Sequence, residues 1–166
     1  MSRNSPENLL LYLAPEDEES VRAVFSVLAE RGFPLQHQRP HITVTFAPTM
    51  DTAVVDQARD VLPPLVPAVF RRVGTVVFGT KSKQTVAWML ETTDELEAAA
   101  RQLSAANSDG RGARWTPHLT MGLRLPRVMV PEYVRALDEI SGPEHKEFLA
   151  TTAAWWRPKV EQLEVF

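Results

Sequence analysis

The chain lacks cysteine altogether among its 166 residues. Disulfide bonds, thiolate metal ligands and a cysteine nucleophile are therefore excluded. It also lacks any apolar run near the roughly 18 residues that a membrane-spanning helix needs. Residues 1–7 are polar and lack the apolar stretch of a signal peptide. We therefore expect a cytoplasmic protein with a loose N-terminal segment and no membrane partner.

Positive charge is not in excess either. Lysine and arginine number 18 against 21 acidic residues, so the net charge is -3. Binding along an extended duplex depends on neutralising many phosphates, so we expect no such partner. A small phosphate ligand or an RNA end needs only a local basic rim. With 44% apolar and 23% charged residues, the composition is typical of a folded domain. We expect residues 1–166 to form one domain and to be monomeric.

A four-residue motif occurs twice. Residues 40–43 read Pro-His-Ile-Thr, and residues 117–120 read Pro-His-Leu-Thr. Each copy opens a short apolar stretch after a proline, which predicts a β-strand. Because side chains alternate along a strand, one face is expected to carry His41, Thr43 and Thr45, and the matching face His118, Thr120 and Gly122. The opposite, buried face is expected to carry Ile42, Val44 and Phe46, and in the second copy Leu119, Met121 and Leu123.

The spacing of the two motifs extends to the whole chain. The two histidines are 77 residues apart, and the same offset carries the predicted strand 9–13 onto 86–90. It also carries the helix at 16–31 onto 93–108, and the strand at 68–78 onto 145–155. The chain therefore reads as β-α-β-α-β written twice, in halves of about 8–80 and 84–166, followed by a final strand. Similar halves usually pack about a pseudo-twofold axis, which would bring His41 and His118 together.

Two histidines in one cleft can supply both halves of acid–base catalysis, because the pKa of imidazole lies near neutrality. A neutral ring removes a proton from the attacking oxygen, and a protonated ring donates one to the departing oxygen. The hydroxyls of Thr43 and Thr120 can donate hydrogen bonds to phosphate oxygens. This set suits displacement at a phosphodiester without a metal. It does not suit acyl transfer, since neither strand carries a serine or cysteine nucleophile.

The paired H-x-T strands resemble the two-histidine phosphoesterase superfamily, which includes bacterial RNA 2′,3′-cyclic phosphodiesterases also known as 2′-5′ RNA ligases. The resemblance covers the element order of almost the whole chain. It implies an α+β fold of two lobes with two antiparallel sheets around a central cleft. It further implies His41 and His118 as the catalytic pair, Thr43 and Thr120 as phosphate contacts, and no metal or other cofactor. Some members carry arginine five residues after the second histidine, where this chain has Leu123.

Three further residues are candidates for substrate binding. Arg124 lies one position after Leu123 and is expected on the cleft face. Arg39 precedes His41 by two residues and can share its face, although a solvated arginine is an equal interpretation. Tyr12, in the first strand, is a candidate for contact with a base.

Several interpretations compete with this one. A single histidine in an apolar strand is usually a structural residue, and only the duplication favours a functional pair. A zinc site needs three or four ligands, and neither strand offers a carboxylate near its histidine. We expect His37 and His145 to be exposed bystanders. The expected function is metal-independent hydrolysis of 2′,3′-cyclic phosphates on RNA ends or nucleotides. The alternatives are a reversible 2′-5′ RNA ligase and a nucleotide-binding sensor without turnover.

Overall fold

The computed structural model describes residues 5–166. The first four residues of the expected loose segment 1–7 lie outside this range, and Glu7 already begins the first strand. Seven strands and four helices, joined in places by short 3-10 turns, follow one another in the described chain. Their bounds are β1 Glu7–Leu13, α1 Pro15–Glu30, β2 His41–Ala47, α2 Thr52–Val61, β3 Ala68–Phe78, β4 Lys83–Glu91, α3 Asp94–Ala106, β5 His118–Pro126, α4 Val130–Ile140, β6 Glu147–Arg157 and β7 Gln162–Val165.

The helices begin where local chemistry favours it. Pro15 occupies the first turn of α1 ahead of three acidic residues, which interact favourably with the positive end of the helix dipole. Asp51 caps α2 by accepting a hydrogen bond from the backbone N–H of Ala53. Thr93 caps α3 through the N–H of Leu96. None of the helices in residues 5–166 is long and apolar enough to span a membrane.

The strands form one antiparallel sheet in the order β2-β1-β6-β3-β4-β5, with β7 paired to β6. The predicted α+β class with a duplicated pattern is confirmed. The two three-stranded groups are β2-β1-β6 and β3-β4-β5, and pairing between the first residues of β3 and β6 joins them. Each group takes its third strand from the other half of the sequence. The two end strands, β2 and β5, also lie close to each other, so the sheet is strongly curved.

The pairing registers repeat with the sequence. Tyr12 pairs with His41, and the pair 77 residues later, Met89 with His118, has the same register. Where β3 and β6 pair and join the two groups, Phe70 lies opposite Phe148. Both rings are fully buried. The expected twofold relation of the halves is therefore visible in backbone pairing as well as in element order.

The helices cover only one of the two faces of the sheet. Leu9 and Leu11 of β1 belong to the large core shared with all four helices, whereas Leu10 and Tyr12 belong to a small cluster with Ala154. The helices therefore pack on one face and leave the other open. Because directly paired residues of an antiparallel sheet point to the same side, the histidines lie on the open face.

Candidate functional site

Each candidate histidine begins its strand and is fixed by the same hydrogen bond. The Nδ1 atom of His41 lies 2.7 Å from the carbonyl oxygen of Arg39, and that of His118 lies 2.7 Å from the carbonyl oxygen of Thr116. A carbonyl oxygen only accepts, so Nδ1 must carry the hydrogen in both rings. In the neutral form, Nε2 is then the free base, and in the cationic form Nε2–H is the acid.

Both rings are half-buried, and their environment keeps them neutral. Desolvation is the main cause that lowers the pKa of His41 below its ordinary value of 6.5, whereas the hydrogen bond that its Nδ1–H donates to the Arg39 carbonyl raises it. The charge of His118 also lowers the pKa of His41. Desolvation likewise lowers the pKa of His118. In the free site, burial therefore favours the neutral form of both rings.

A bulge in each histidine strand re-aims the side chains that follow. On β2, Thr43 and Thr45 pair with consecutive residues of β1, so Val44 has no partner. On β5, Met121 is unpaired in the same way. In both strands the bulged residue and the next one are buried. Side-chain alternation therefore reverses after the bulge.

The expected burial of Phe46 and Leu123 is wrong for this reason. Phe46 is 56% exposed and Leu123 is 49% exposed, and both line a cavity of about 480 Å³ on the open face. Gly122, which was expected beside His118 on the cleft face, is buried. Thr45 is also buried, but it lines this cavity.

That cavity, here called the central cavity, brings together several of the predicted site residues. Thr43, His118 and Thr120 line it, and so do Phe46, Phe78 and Leu123. Phe78 packs against the ring of His118 with centroids 4.7 Å apart. His41 is not part of the lining, but it begins β2, the strand whose Thr43 and Phe46 line the cavity.

The hydroxyl of Thr43 has a partner that sequence reasoning missed. The Nδ2 atom of Asn8 donates a hydrogen bond to Thr43 Oγ1 over 3.1 Å. Since this bond uses a lone pair of the hydroxyl, the Thr43 hydrogen remains available to another acceptor. The equivalent position in the second half holds Thr85, which lines the central cavity with Thr120. Asn8 reaches Thr43 as a diagonal neighbour across β1 and β2, because Leu10, two residues on, pairs with Thr43.

Two of the predicted binding residues hold each other instead. The guanidinium carbon of Arg39 lies 3.7 Å from the centroid of the Tyr12 ring, and Arg39 Nε donates to Glu18 Oε1 over 2.9 Å. Tyr12 is buried, and this desolvation raises the pKa of its phenol. Arg39 thus links α1 to the face of the Tyr12 ring, and its side chain stays partly exposed. The pair lies next to His41 through the pairing of Tyr12 with that residue.

Arg124 does not line the central cavity. It is exposed, has a φ of 50°, and donates its backbone N–H to Thr85 Oγ1 over 3.2 Å. The bulge at Met121 places Leu123 where the simple alternation expected Arg124. The guanidinium group is therefore not aimed at the lined part of the cleft.

The free edges of the histidine strands are covered by the opposite half of the chain. Asn107, at the end of α3, donates from Nδ2 to Thr45 Oγ1 over 2.8 Å and to the carbonyl of Phe46 over 2.9 Å. On β5, the N–H of Leu123 donates to Oε1 of Gln36 over 2.8 Å. These two amides satisfy edge groups at equivalent positions of the two strands.

Trp115 makes a third hydrogen bond between the two halves of the chain. Its indole Nε1 donates to the carbonyl of Thr43 over 2.9 Å, and its ring packs on the core, meeting Phe70 edge-on. The segment that leads to His118 is thereby attached to the strand that carries Thr43. Loop composition alone does not predict such a link, because it depends on which halves meet.

The remaining histidines divide into one exposed and one buried. His37 is exposed as expected. The expectation for His145 is wrong, because this ring is buried against Trp88 and its Nδ1 accepts a hydrogen bond from the N–H of Gly142. No group of three or more histidine, aspartate or glutamate side chains within residues 5–166 is placed to hold a metal ion.

The chain was compared with protein families, curated proteins and solved structures. No protein-family model and no curated protein matches the chain. Among solved structures, that of Usb1 from Kluyveromyces marxianus with uridine monophosphate aligns over 98% of both chains, with a TM-score of 0.49 and 9% sequence identity. The function proposed below therefore rests on the cleft residues themselves.

Proposed function

We propose that the protein is a metal-independent phosphodiesterase that hydrolyses 2′,3′-cyclic phosphates on RNA ends or nucleotides. The observation that carries this proposal is the duplicated Nδ1–carbonyl hydrogen bond of His41 and His118. It fixes one tautomer in both rings and leaves Nε2 of each for proton transfer. Two such nitrogens near one another are what an acid–base pair requires.

The reaction needs one bond made and one broken at phosphorus. One histidine, neutral at Nε2, takes a proton from water as the water oxygen bonds to phosphorus. The other histidine, protonated at Nε2, gives its proton to O3′ as the phosphorus–O3′ bond breaks. The product is a 2′-phosphate with a free 3′-hydroxyl, and the histidines have exchanged protonation states.

The lowered pKa values fit this cycle once the substrate is bound. Burial lowers the pKa of both rings and so favours their neutral form in the free protein. An anionic phosphate between them favours the cationic form of one ring, because opposite charges attract more strongly where water is excluded. Binding of the anion thereby supplies the acid, and the second ring stays neutral as the base.

The threonines orient the phosphate in this proposal. Thr43 receives a hydrogen bond from Asn8, so its own O–H is directed to a phosphate oxygen. Thr120 makes the equivalent contact from β5. We place Asn8 as a positioning residue that acts through Thr43.

The decisive experiment incubates the protein with 2′,3′-cyclic mononucleotides and with RNAs that end in a cyclic phosphate, and identifies the products by ³¹P NMR. His41→Ala and His118→Ala should each reduce kcat by about 10²–10⁴, the usual contribution of a general acid or base. The matched control is His37→Ala, since His37 is exposed and outside the cleft. Circular dichroism of the variants should match that of the original protein.

Three outcomes would overturn the proposal. The first is full activity in either alanine variant. The second is tight binding of a cyclic nucleotide without any product, which would indicate a sensor. The third is joining of cleaved RNA halves at a rate above hydrolysis, which would indicate a ligase.

A further inference from the structure

A second, smaller cavity opens beside the central one, on the side of His118. Its volume is about 340 Å³, and Arg101, Arg111, Ala113, Arg114, Trp115 and Thr116 line it. Four of these residues also line the central cavity. The two cavities are therefore neighbours, separated by the residues that lead into β5.

The smaller cavity, here called the basic cavity, carries only positive charge. Three arginines contribute to its wall, and no acidic residue does. Arg101 is paired with Glu97 at 2.6 Å, one helical turn earlier. Arg111 and Arg114 form no ion pair with any residue of the described chain, although Asp109 lines the central cavity nearby. In a protein of net charge -3, this is a local anion-attracting surface.

The loop that carries these arginines is built into the fold at both ends. Asn107 ties its start to β2, and Trp115 ties its end to the carbonyl of Thr43. In the middle, Ser104 Oγ donates to the carbonyl of Gly112 over 2.6 Å. Gly112 has a φ of 72°, a conformation that suits glycine. The arginines are thus presented from an anchored loop.

We infer that the basic cavity binds a second phosphate of the substrate, one nucleotide away from the cyclic phosphate. This inference rests on the proposed function and narrows its substrate class to oligonucleotide ends of two or more nucleotides. Planar guanidinium groups suit phosphate because they present several N–H donors in a fixed fork. A cyclic mononucleotide has no second phosphate to offer to the basic cavity.

The test compares two substrates, uridine 2′,3′-cyclic phosphate and diuridylate ending in a 2′,3′-cyclic phosphate. The readout is the ratio of kcat/KM for the dinucleotide to that for the mononucleotide. We expect this ratio to be well above one in the original protein. Arg101→Gln, Arg111→Gln and Arg114→Gln should each reduce it, and the double variant of Arg111 and Arg114 by about tenfold or more.

The effect should be in KM, because a remote phosphate contact binds substrate and transition state alike. The slope of log KM against log salt for the dinucleotide should also become shallower by about 0.7 if one phosphate contact is lost. Arg135→Gln is the matched control. It removes the same charge from an exposed position of α4 that lines neither cavity, and the ratio should not change.

The outcomes separate this inference from the proposed function. An equal loss for both substrates, or no loss for either, would overturn the second phosphate site while hydrolysis stands. If neither substrate is hydrolysed, the proposed function fails. The site is then judged by calorimetric titration with diuridylate 2′-phosphate and uridine 2′-phosphate. Tighter binding of the dinucleotide that depends on Arg111 and Arg114 would support it, and equal binding would reject it.

Discussion

Replacing Asn107 should remove hydrogen bonds that hold α3 against β2 and should therefore lower the stability of the protein. Its side chain is only 4% exposed. It donates two hydrogen bonds to β2, at 2.8 Å to Thr45 Oγ1 and 2.9 Å to the Phe46 carbonyl, and it accepts a third at 3.1 Å from the N–H of Asp109. Asn107→Ala removes all three. At a net 0.5–1.5 kcal/mol each, the free energy of unfolding should fall by about 2–4 kcal/mol.

Urea denaturation followed by tryptophan fluorescence measures this loss. With an m-value of about 2 kcal/mol/M, the midpoint should fall by roughly 1–2 M. Ser108→Ala is the control, because Ser108 is the exposed neighbour of Asn107, and its midpoint should remain unchanged. Asn107→Ala should also raise KM for the dinucleotide substrate, because the loop with Arg111 and Arg114 loses the hydrogen bonds that attach its start to β2.

A double-mutant cycle with Thr45→Val isolates one of the three hydrogen bonds. Thr45 is buried, and its hydroxyl is one of the two acceptors on β2. The sum of the decreases in unfolding free energy for the two single variants should exceed the decrease for the double variant by about 0.5–1.5 kcal/mol, the value of one hydrogen bond. Additive losses, or a cost of Asn107→Ala below about 0.5 kcal/mol, would refute the reasoning that this amide holds the halves together.

Three further outcomes are expected. Gly122→Ala should lower the free energy of unfolding by about 1–3 kcal/mol, because the new Cβ would lie 2.6 Å from Tyr133 Cε1. The control Gly74→Ala should be near neutral, because no heavy atom lies within 4 Å of its Cβ position. Equal urea midpoints for the two variants would contradict this expectation. Because the pKa values of His41 and His118 are lowered on folding, the unfolded chain binds protons first as the pH falls. Stability should therefore decline below about pH 6.5 and level off below the folded pKa values, by at most about 1.4 kcal/mol per pH unit for each histidine. Replacing both histidines with glutamine should flatten this decline, and an unchanged slope in urea titrations from pH 5 to 7 would show that other groups cause it. Hydrolysis should remain complete in EDTA, and a loss that zinc restores would reject the mechanism.

The sequence predicts the element order because each element carries its own local signals. Proline and acidic residues mark the start of α1, and the offset of 77 residues identifies the repeat. The pairing of Tyr12 with His41 and of Met89 with His118 follows that repeat in the structure. Alternation also predicts that His41 and Thr43 share a face.

The remaining features depend on long-range contacts that alternation does not encode. A bulge adds one residue to a strand without changing its composition, so the exposure of Phe46 and Leu123 was not predictable from period-two patterning. The engagement of Arg39 with Glu18 depends on how α1 packs beside β2. Asn107, an unremarkable loop residue in the sequence, is important only because the second half covers the edge of the first.

The exchange of third strands between the two halves has a consequence for a half-length chain. Residues 1–80 alone would leave β1 without β6, and would expose the edge of β3 that pairs with β4 in the intact protein. A second copy of the same fragment offers the matching edge, because β3 and β6 come from equivalent places in the two halves and pair antiparallel with each other. Such a fragment should assemble as a symmetric homodimer with two identical histidines at its centre. The present single-chain protein has the architecture of that dimer after gene duplication and fusion.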